Sequence, residues 1–206
     1  MRRIILSRKG FDSSTGKKPS RASPIFEDGR IFSVPVHINT SDPDTYKDVE
    51  YGGINAFEAI KYAYKNARDG VPYHENDSCH FDPNLSVQPG LFGQQGNDQT
   101  ELEKGRVREG DLFIFFGWFQ TYSKEKESID SHHIFGWLQI EEIIHGTEQI
   151  KTYCDDMHIH HPHASGAWKK NTLYVSSSDL NSSFGTLNGK GSGFFKTTDP
   201  KLILSE

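Results

Sequence analysis

The sequence predicts an α+β domain whose sheet is mainly antiparallel and either closes into a barrel or bends strongly, with a few flanking helices. Three observations predict it. Two long aromatic runs, Asp111–Phe119 and His133–Ile143, follow one another across the polar loop 121–131. Short apolar runs bounded by Gly, Pro, Asp and Ser recur through the rest of the chain, as strands do. Only two stretches carry helical signals. In Leu112-Phe113-Ile114-Phe115-Phe116-Gly117-Trp118-Phe119 both pleat faces are apolar, the pattern of a strand covered on both sides. Gly117 and Gly136 interrupt the two strands and would let a backbone or a ligand come close.

The remaining elements follow in chain order. Ile4-Ile5-Leu6 reads as a short buried strand, and Ser13–Arg21 as a polar loop. Asp28-Gly29 lies between Pro24-Ile25-Phe26 and Ile31–Val36, a tight-turn signal that would leave Pro35 on an edge strand. Phe57, Ile60 and Tyr64 recur at helical spacing with alanines between them, so the clearest helix runs over about Asn55–Arg68, stopped by Gly70 and Pro72. Residues 71–97 have no period and read as a long connection of the kind that often carries function. Asp98-Gln99-Thr100-Glu101 starts a short helix ending at Gly105. Asn171–Val175 is another strand, Ser176–Gly193 a flexible glycine-rich loop, and the chain closes on the apolar run Leu202–Leu204.

Composition narrows the class. A chain of 206 residues fits a single domain over 1–206 and is long enough to bury a real core. No run approaches the roughly 20 apolar residues of a membrane helix, and Ile4–Leu6 is too short for a secretion signal, so the expected compartment is the cytoplasm. Cys79 and Cys154 are then free thiols rather than a disulfide. The net charge of −5 argues against a strong general nucleic-acid binder. Residues 1–30, however, hold eight bases (Arg2, Arg3, Arg8, Lys9, Lys17, Lys18, Arg21, Arg30) and three acids (Asp12, Glu27, Asp28). That segment is either a solvated basic surface or an anion-binding edge through which a nucleotide or nucleic acid would be a partner.

Several polar clusters could carry chemistry. Ser7-Arg8-Lys9-Gly10-Phe11-Asp12 follows a strand end, where binding groups are common. Arg8 could fork onto a phosphate or carboxylate, Lys9 act as a point charge, Phe11 stack, and Asp12 accept from a base; the bland alternative is a solvated strand end with an Arg–Asp pair. His80 and Asp82 alternate along an extended segment and could converge as a base with its orienting carboxylate or as metal ligands; otherwise Asp82 caps its own Asp-Pro turn. His158-Ile159-His160-His161-Pro162-His163 is a second histidine cluster whose spacing fits no standard zinc pattern. Within it, His161 or His163 could line a pocket, and His163 or His80 is the best candidate for a general acid or base. Gln94 and Asn171 could read a base edge, though satisfying loop backbone is their commoner use. Trp118 and Trp137 could wall a pocket for a flipped base, with His133 beside them, or simply pack. Gly189-Lys190-Gly191-Ser192-Gly193 lacks phosphate-loop spacing, and no serine or cysteine nucleophile motif is present.

Several segments together resemble a bacterial and phage family, the nucleotide modification associated domain, type three. They are Ile4–Asp12, Pro24-Ile25 with Asp28-Gly29, His80-Phe81-Asp82-Pro83, Phe92-Gly93-Gln94, Gly110–Phe119, His133–Ile140, His161-Pro162-His163, Asn171–Val175 and Gly191–Phe194, in order along nearly the whole chain. The chain departs from the family pattern around residues 40–70, and relatives tend to continue past its end, which predicts a missing C-terminal extension. The resemblance implies a role in systems that hypermodify DNA bases, alongside partner proteins of such a system, and no particular reaction. A second likeness concerns fold alone. A Gly-Asp turn into an apolar strand, then Gly-x-Leu-x-Ile, is similar to the small PUA-like barrels (ASCH and EVE domains among them), which hold RNA or modified bases beside the barrel. The expectation is a protein that acts on, or recognises, a modified base in a polar and aromatic pocket. A binding module without turnover and a metal-dependent hydrolase built on the histidine loops are the alternatives.

Overall fold

The computed structural model describes residues 2–11, 21–38, 44–122, 130–166, 168–182 and 185–204. Strands β1 (Ile4–Arg8), β2 (Ser23–Ile25), β3 (Val36–His37), β4 (Glu50–Tyr51) and β5 (Ile54–Asn55) precede helix α1 (Ala56–Ala63). Strands β6 (Cys79–His80) and β7 (Leu91–Gln94), helix α2 (Gly96–Lys104) and the long strands β8 (Leu112–Thr121) and β9 (Asp130–His145) follow. Helix α3 (Thr147–Met157), β10 (Thr172–Ser176), β11 (Asp179–Ser182), β12 (Gly185–Lys190), β13 (Ser192–Phe194) and β14 (Ile203–Leu204) complete the chain. The chain forms two compact units: Met1–Leu6, Asp82–Ile114 and Gly136–Phe194 make unit one, and Ser7–Phe81, Phe115–Phe135 and Phe195–Glu206 make unit two.

Unit one is built on strands in the order β1-β8-β9-β10-β7, with β13 added on β9. Strand β10 is antiparallel to both neighbours, Leu173 lying opposite Gly93 on β7 and Ile144 on β9. Leu91, Leu173 and Val175 meet Ile150 and Cys154 of α3 in one apolar cluster. Phe92, Phe113 and Tyr174 form a second, with ring centroids 4.9–5.8 Å apart. The Tyr174 hydroxyl donates to Gln99 Oε1 at 3.0 Å, so the buried phenol stays satisfied. At the strand start Asp111 is sealed from solvent. It accepts from the Arg3 and Arg108 backbone N–H groups at 3.0 and 3.2 Å and pairs with the Arg3 guanidinium at 2.9 Å. Burial pushes its pKa up, but the bonds from Arg3 and Arg108 outweigh this and hold it below the usual carboxylate value.

Unit two carries β2 parallel to β8, β14 antiparallel to β9, and the small pairs β3–β6 and β4–β5. Along β8 the alternate residues Phe113, Phe115, Gly117 and Phe119 are buried while Leu112, Ile114, Phe116 and Trp118 are half-buried. Aromatic side chains fill the unit: Phe32 stacks on Tyr51 at 4.1 Å, and Tyr73 packs against Phe11 and Tyr46.

The α+β class and the mainly antiparallel sheet are as expected. The barrel is not: β1 and β7 end the strand order without pairing to each other, so among the described residues the sheet does not close. Ile4 and Leu6 are exposed at 71% and 57%, which corrects the buried reading of that short strand. Asp28-Gly29 does turn the chain as a hairpin, with Gly29 at φ +84°, the Phe26 N–H on the Arg30 carbonyl at 2.8 Å and Ile25 bridging Ile31 antiparallel, while β2 also pairs in parallel with β8. Helix α1 begins on an Asn55–Glu58 capping box and stops at Tyr64, four residues before Arg68. The stop has a cause: Lys65 and Ala67 bond three residues back, and the Asn66 amide donates to the Tyr122 carbonyl at 3.0 Å. Helix α3 has no counterpart among the expected elements, because Ile150 and Cys154 are its only buried apolar positions. Residues 179–182, 185–190 and 192–194 are strands rather than an irregular loop. Their glycines answer to packing: a Cβ at Gly191 would lie 2.0 Å from the Ser177 carbonyl, and one at Gly193 2.8 Å from the Trp137 ring. Cys79 and Cys154 are both buried free thiols, and burial with the Asp155 charge pushes the Cys154 pKa up to about 11. Among the described residues no helix is long and apolar enough to cross a membrane.

Candidate functional site

In unit one, three segments distant in sequence bring Asp82, His161, His163 and Asn171 together. Asp82, whose side chain is 2% exposed, enters on the segment before β7 and accepts the Gly93 N–H on Oδ1 at 2.7 Å. His161 caps the short 3-10 turn Pro162–Ala164, its Nδ1 accepting the His163 N–H at 3.3 Å. Its Nε2 lies 3.3 Å from Asp82 Oδ1, and His163 Nε2 lies 4.0 Å from Oδ2. Asn171, just before β10, accepts at Oδ1 from His163 Nδ1 at 2.6 Å, while its Nδ2 donates to the His163 carbonyl and to Thr147 Oγ1.

The network assigns the ring hydrogens. Asn171 spends its amide hydrogens on two oxygens, so its own oxygen faces His163, and Nδ1 of His163 must carry the hydrogen it donates. His163 therefore presents Nε2 toward Asp82, as a lone pair when the ring is neutral and as an N–H when it is charged. His161 is the reverse. Its Nδ1 accepts, so its Nε2 carries the hydrogen. That nitrogen is within ion-pair reach of Asp82 but misaligned for a hydrogen bond, which leaves a fully buried polar atom without a hydrogen-bond partner.

Such an arrangement can hold or release a proton at His163 Nε2, with Asp82 stabilising the charged ring and Asn171 fixing its orientation. His163 Nε2 and Asp82 Oδ2 are also separated by a distance that two ligands of one metal ion can span, with Asn171 as the orienting partner of the imidazole. His161 is not a third ligand in this tautomer, because its Nε2 is protonated.

Packing fixes the ring. A Cβ at Gly93 would stand 2.2 Å from His163 Cδ2, so β7 must carry glycine there for the imidazole to fit. The Trp168 indole stacks on His163 with centroids 5.3 Å apart and planes 18° apart, and its Nε1 donates to the Ser165 carbonyl.

Of the residues expected to form the site, Asp82, His161, His163 and Asn171 thus meet in unit one. Gln94 lies in the same unit, paired with Thr172 on β10. Trp137 is there too, its indole N–H on the Lys190 carbonyl at 2.9 Å. The others fall in unit two. His80 is on β6 opposite Val36. Ser7 and Arg8 end β1, and the Lys9 N–H bonds the Phe116 carbonyl at 2.8 Å. Phe11 is 2% exposed and packs on Tyr73, a core position rather than an open stacking face. The Trp118 indole donates to Asp130. His133 is sealed, with Nδ1 on the Ile134 carbonyl at 2.6 Å and Nε2 accepting from the Thr198 hydroxyl at 3.0 Å. Burial lowers its pKa, so it stays neutral in the fold. Gly117 admits a close backbone approach, but from its own chain, since a Cβ there would sit 2.7 Å from the Lys9 carbonyl. Asp12 lies outside the described residues, as do Lys17 and Lys18.

Sequence reasoning missed Trp168 and the role of Gly93. Trp168 had a signal, an aromatic close after a histidine cluster. Gly93 had none, because only the packed His163 ring explains it.

The fold and the cluster define an α+β protein with a buried carboxylate–imidazole–carboxamide site on an antiparallel sheet. The chain belongs to the family described as nucleotide modification associated domain 3, whose model matches residues 3–206. No curated protein and no solved structure matches it.

Proposed function

We propose that this protein acts on a base of a nucleotide or of DNA, and that His163 is the proton-handling group of the reaction with Asp82 beside it. The family carries a nucleotide-modification-associated role. The observation behind the finer reading is the His163 tautomer: Asn171 commits Nδ1, so the nitrogen facing the buried Asp82 carboxylate is the one able to gain or lose a proton. The partner we take to be a nucleotide or nucleic acid, from the charge of residues 1–30, where eight bases stand against three acids.

The test is nucleoside digestion and mass analysis of DNA from cells carrying the modification system. Wild type is compared with His163→Gln, Asp82→Asn and the double variant, with folding checked by circular dichroism. The reading expects the modified nucleoside to fall at least about 100-fold in each variant. Unchanged product from the folded double variant removes it.

A second reading, base recognition without turnover, draws on one observation: Trp168 already stacks on His163, which marks the ring as a surface for flat aromatic groups. Saturable binding of a modified nucleoside without product, weakened in Trp168→Ala, would favour it.

A further inference from the structure

Arg21, in unit two, has a partner set unusual for a guanidinium. It directly precedes β2, and its Cζ lies over two aromatic rings, 5.3 Å from the Tyr64 centroid and 5.5 Å from the Tyr122 centroid. Both tyrosines are buried, at 2% and 6% exposure. Their positions are fixed by packing and hydrogen bonds: the Tyr122 hydroxyl donates to the Ala22 carbonyl at 2.8 Å, and the Tyr122 carbonyl accepts from Asn66. Arg21 Nε is sealed from solvent and has no hydrogen-bond partner. Asp130, whose charge is felt at Tyr122, already takes the Trp118 indole N–H. Among the described residues no carboxylate forms an ion pair with Arg21.

Aromatic faces attract a guanidinium, but they do not accept its in-plane hydrogen bonds. A buried donor left unpaired costs the fold, and Arg21 is a partly buried cation with no counter-charge among the described residues. The residue as a whole stays half-buried, so solvent-borne ions can reach its exposed part, though not the sealed Nε. Two rings that hold the cation in place, with no carboxylate paired to it among the described residues, make a receptor that an anion with several acceptor oxygens would complete.

We propose that Arg21 is the anchor of a second ligand site, in unit two, that takes a phosphate group. The site is independent of the carboxylate–imidazole cluster.

The experiment uses the full chain. Thermal unfolding and titration calorimetry are run with inorganic phosphate against sodium chloride of equal ionic strength, on wild type, Arg21→Lys, Arg21→Gln and Tyr122→Phe. Phosphate should raise the wild-type melting temperature saturably. Arg21→Lys should bind at least ten-fold more weakly, because an ammonium keeps the charge but loses the planar fork. Arg21→Gln should lose the response, and Tyr122→Phe, which keeps the ring, should retain it. His163→Gln should bind phosphate like wild type, which separates this proposal from the reading of the other site. Deoxynucleoside monophosphate and a short oligonucleotide identify the source: tighter binding of the monophosphate points to a nucleotide, and a steep salt dependence with the oligonucleotide to a nucleic-acid backbone. Equal responses in wild type and Arg21→Gln overturn the proposal. So does a wild type indifferent to phosphate, including the case in which Asp12→Asn uncovers a response, since Arg21 would then be neutralised within the chain.

Discussion

Both units bury histidine, and His133 and His163 are treated in opposite ways. In unit two, His133 gives one nitrogen to a backbone carbonyl and the other to a hydroxyl, and burial keeps it neutral. In unit one, His163 has one nitrogen tied by Asn171 and the other turned toward Asp82, while His161 Nε2 is a buried donor with no aligned acceptor. Burial alone therefore does not mark a functional histidine. The difference between them is the neighbour: His163 turns its second nitrogen toward a buried carboxylate, and His133 turns its second nitrogen to a hydroxyl.

The comparison can be broken most sharply at Gly93. Gly93→Ala should drive His163 out of its place, because the added methyl would overlap the ring; the expected cost is about 3 kcal/mol of stability, measured by urea unfolding, with loss of any modification activity. A change near zero would mean that the ring sits elsewhere. Asp82→Ala comes next. It strips the acceptor from the Gly93 N–H and the carboxylate from beside His161, and should cost about 2 kcal/mol.

Asp111 provides a second buried carboxylate with a purely structural set of partners, and it sharpens the contrast. Its folded pKa is depressed, so its contribution is present above the unfolded value near 3.8 and is lost as the pH falls through the folded value. Asp111→Asn should thus cost about 1–2 kcal/mol at pH 7 and progressively less in acid, read from unfolding curves between pH 7 and 3. Asp111→Asn should leave modification activity intact where Asp82→Asn abolishes it.

The smallest effect is expected at His133. Its pKa is lowered in the fold, so the unfolded state takes up the proton first on acidification. Stability from this residue is complete above about pH 6.5 and drains away as the pH drops through the folded value. His133→Gln should cost about 1 kcal/mol at pH 7 and flatten the pH dependence of stability below 6.5, without changing activity at neutral pH. A His133→Gln variant that loses activity while staying folded would erase the distinction between the two histidines.

The sequence by itself determined the local pieces. The aromatic runs are strands because alternate residues of β8 bury Phe113, Phe115 and Phe119. The helix after Gly53 exists because Asn55 and Glu58 cap it and Ala56, Ala59, Ile60 and Ala63 make one face. The histidine cluster, Asp82 and Asn171 stood out in the sequence as groups that could carry chemistry, each with a structural use as the alternative. Tertiary structure decided where those residues meet. Seventy-nine positions separate Asp82 from His161 along the chain, and no local pattern encodes their 3.3 Å approach. The direction of the Asn171 amide, and so the tautomer of His163, follows from Thr147 and a backbone carbonyl that only folding brings near. Whether Phe11 stacks on a ligand or on Tyr73, and whether Gly117 admits a substrate or the Lys9 backbone, were likewise packing outcomes. Spacing and propensity act over a few residues, whereas a site is assembled by contacts between segments that the fold alone makes neighbours.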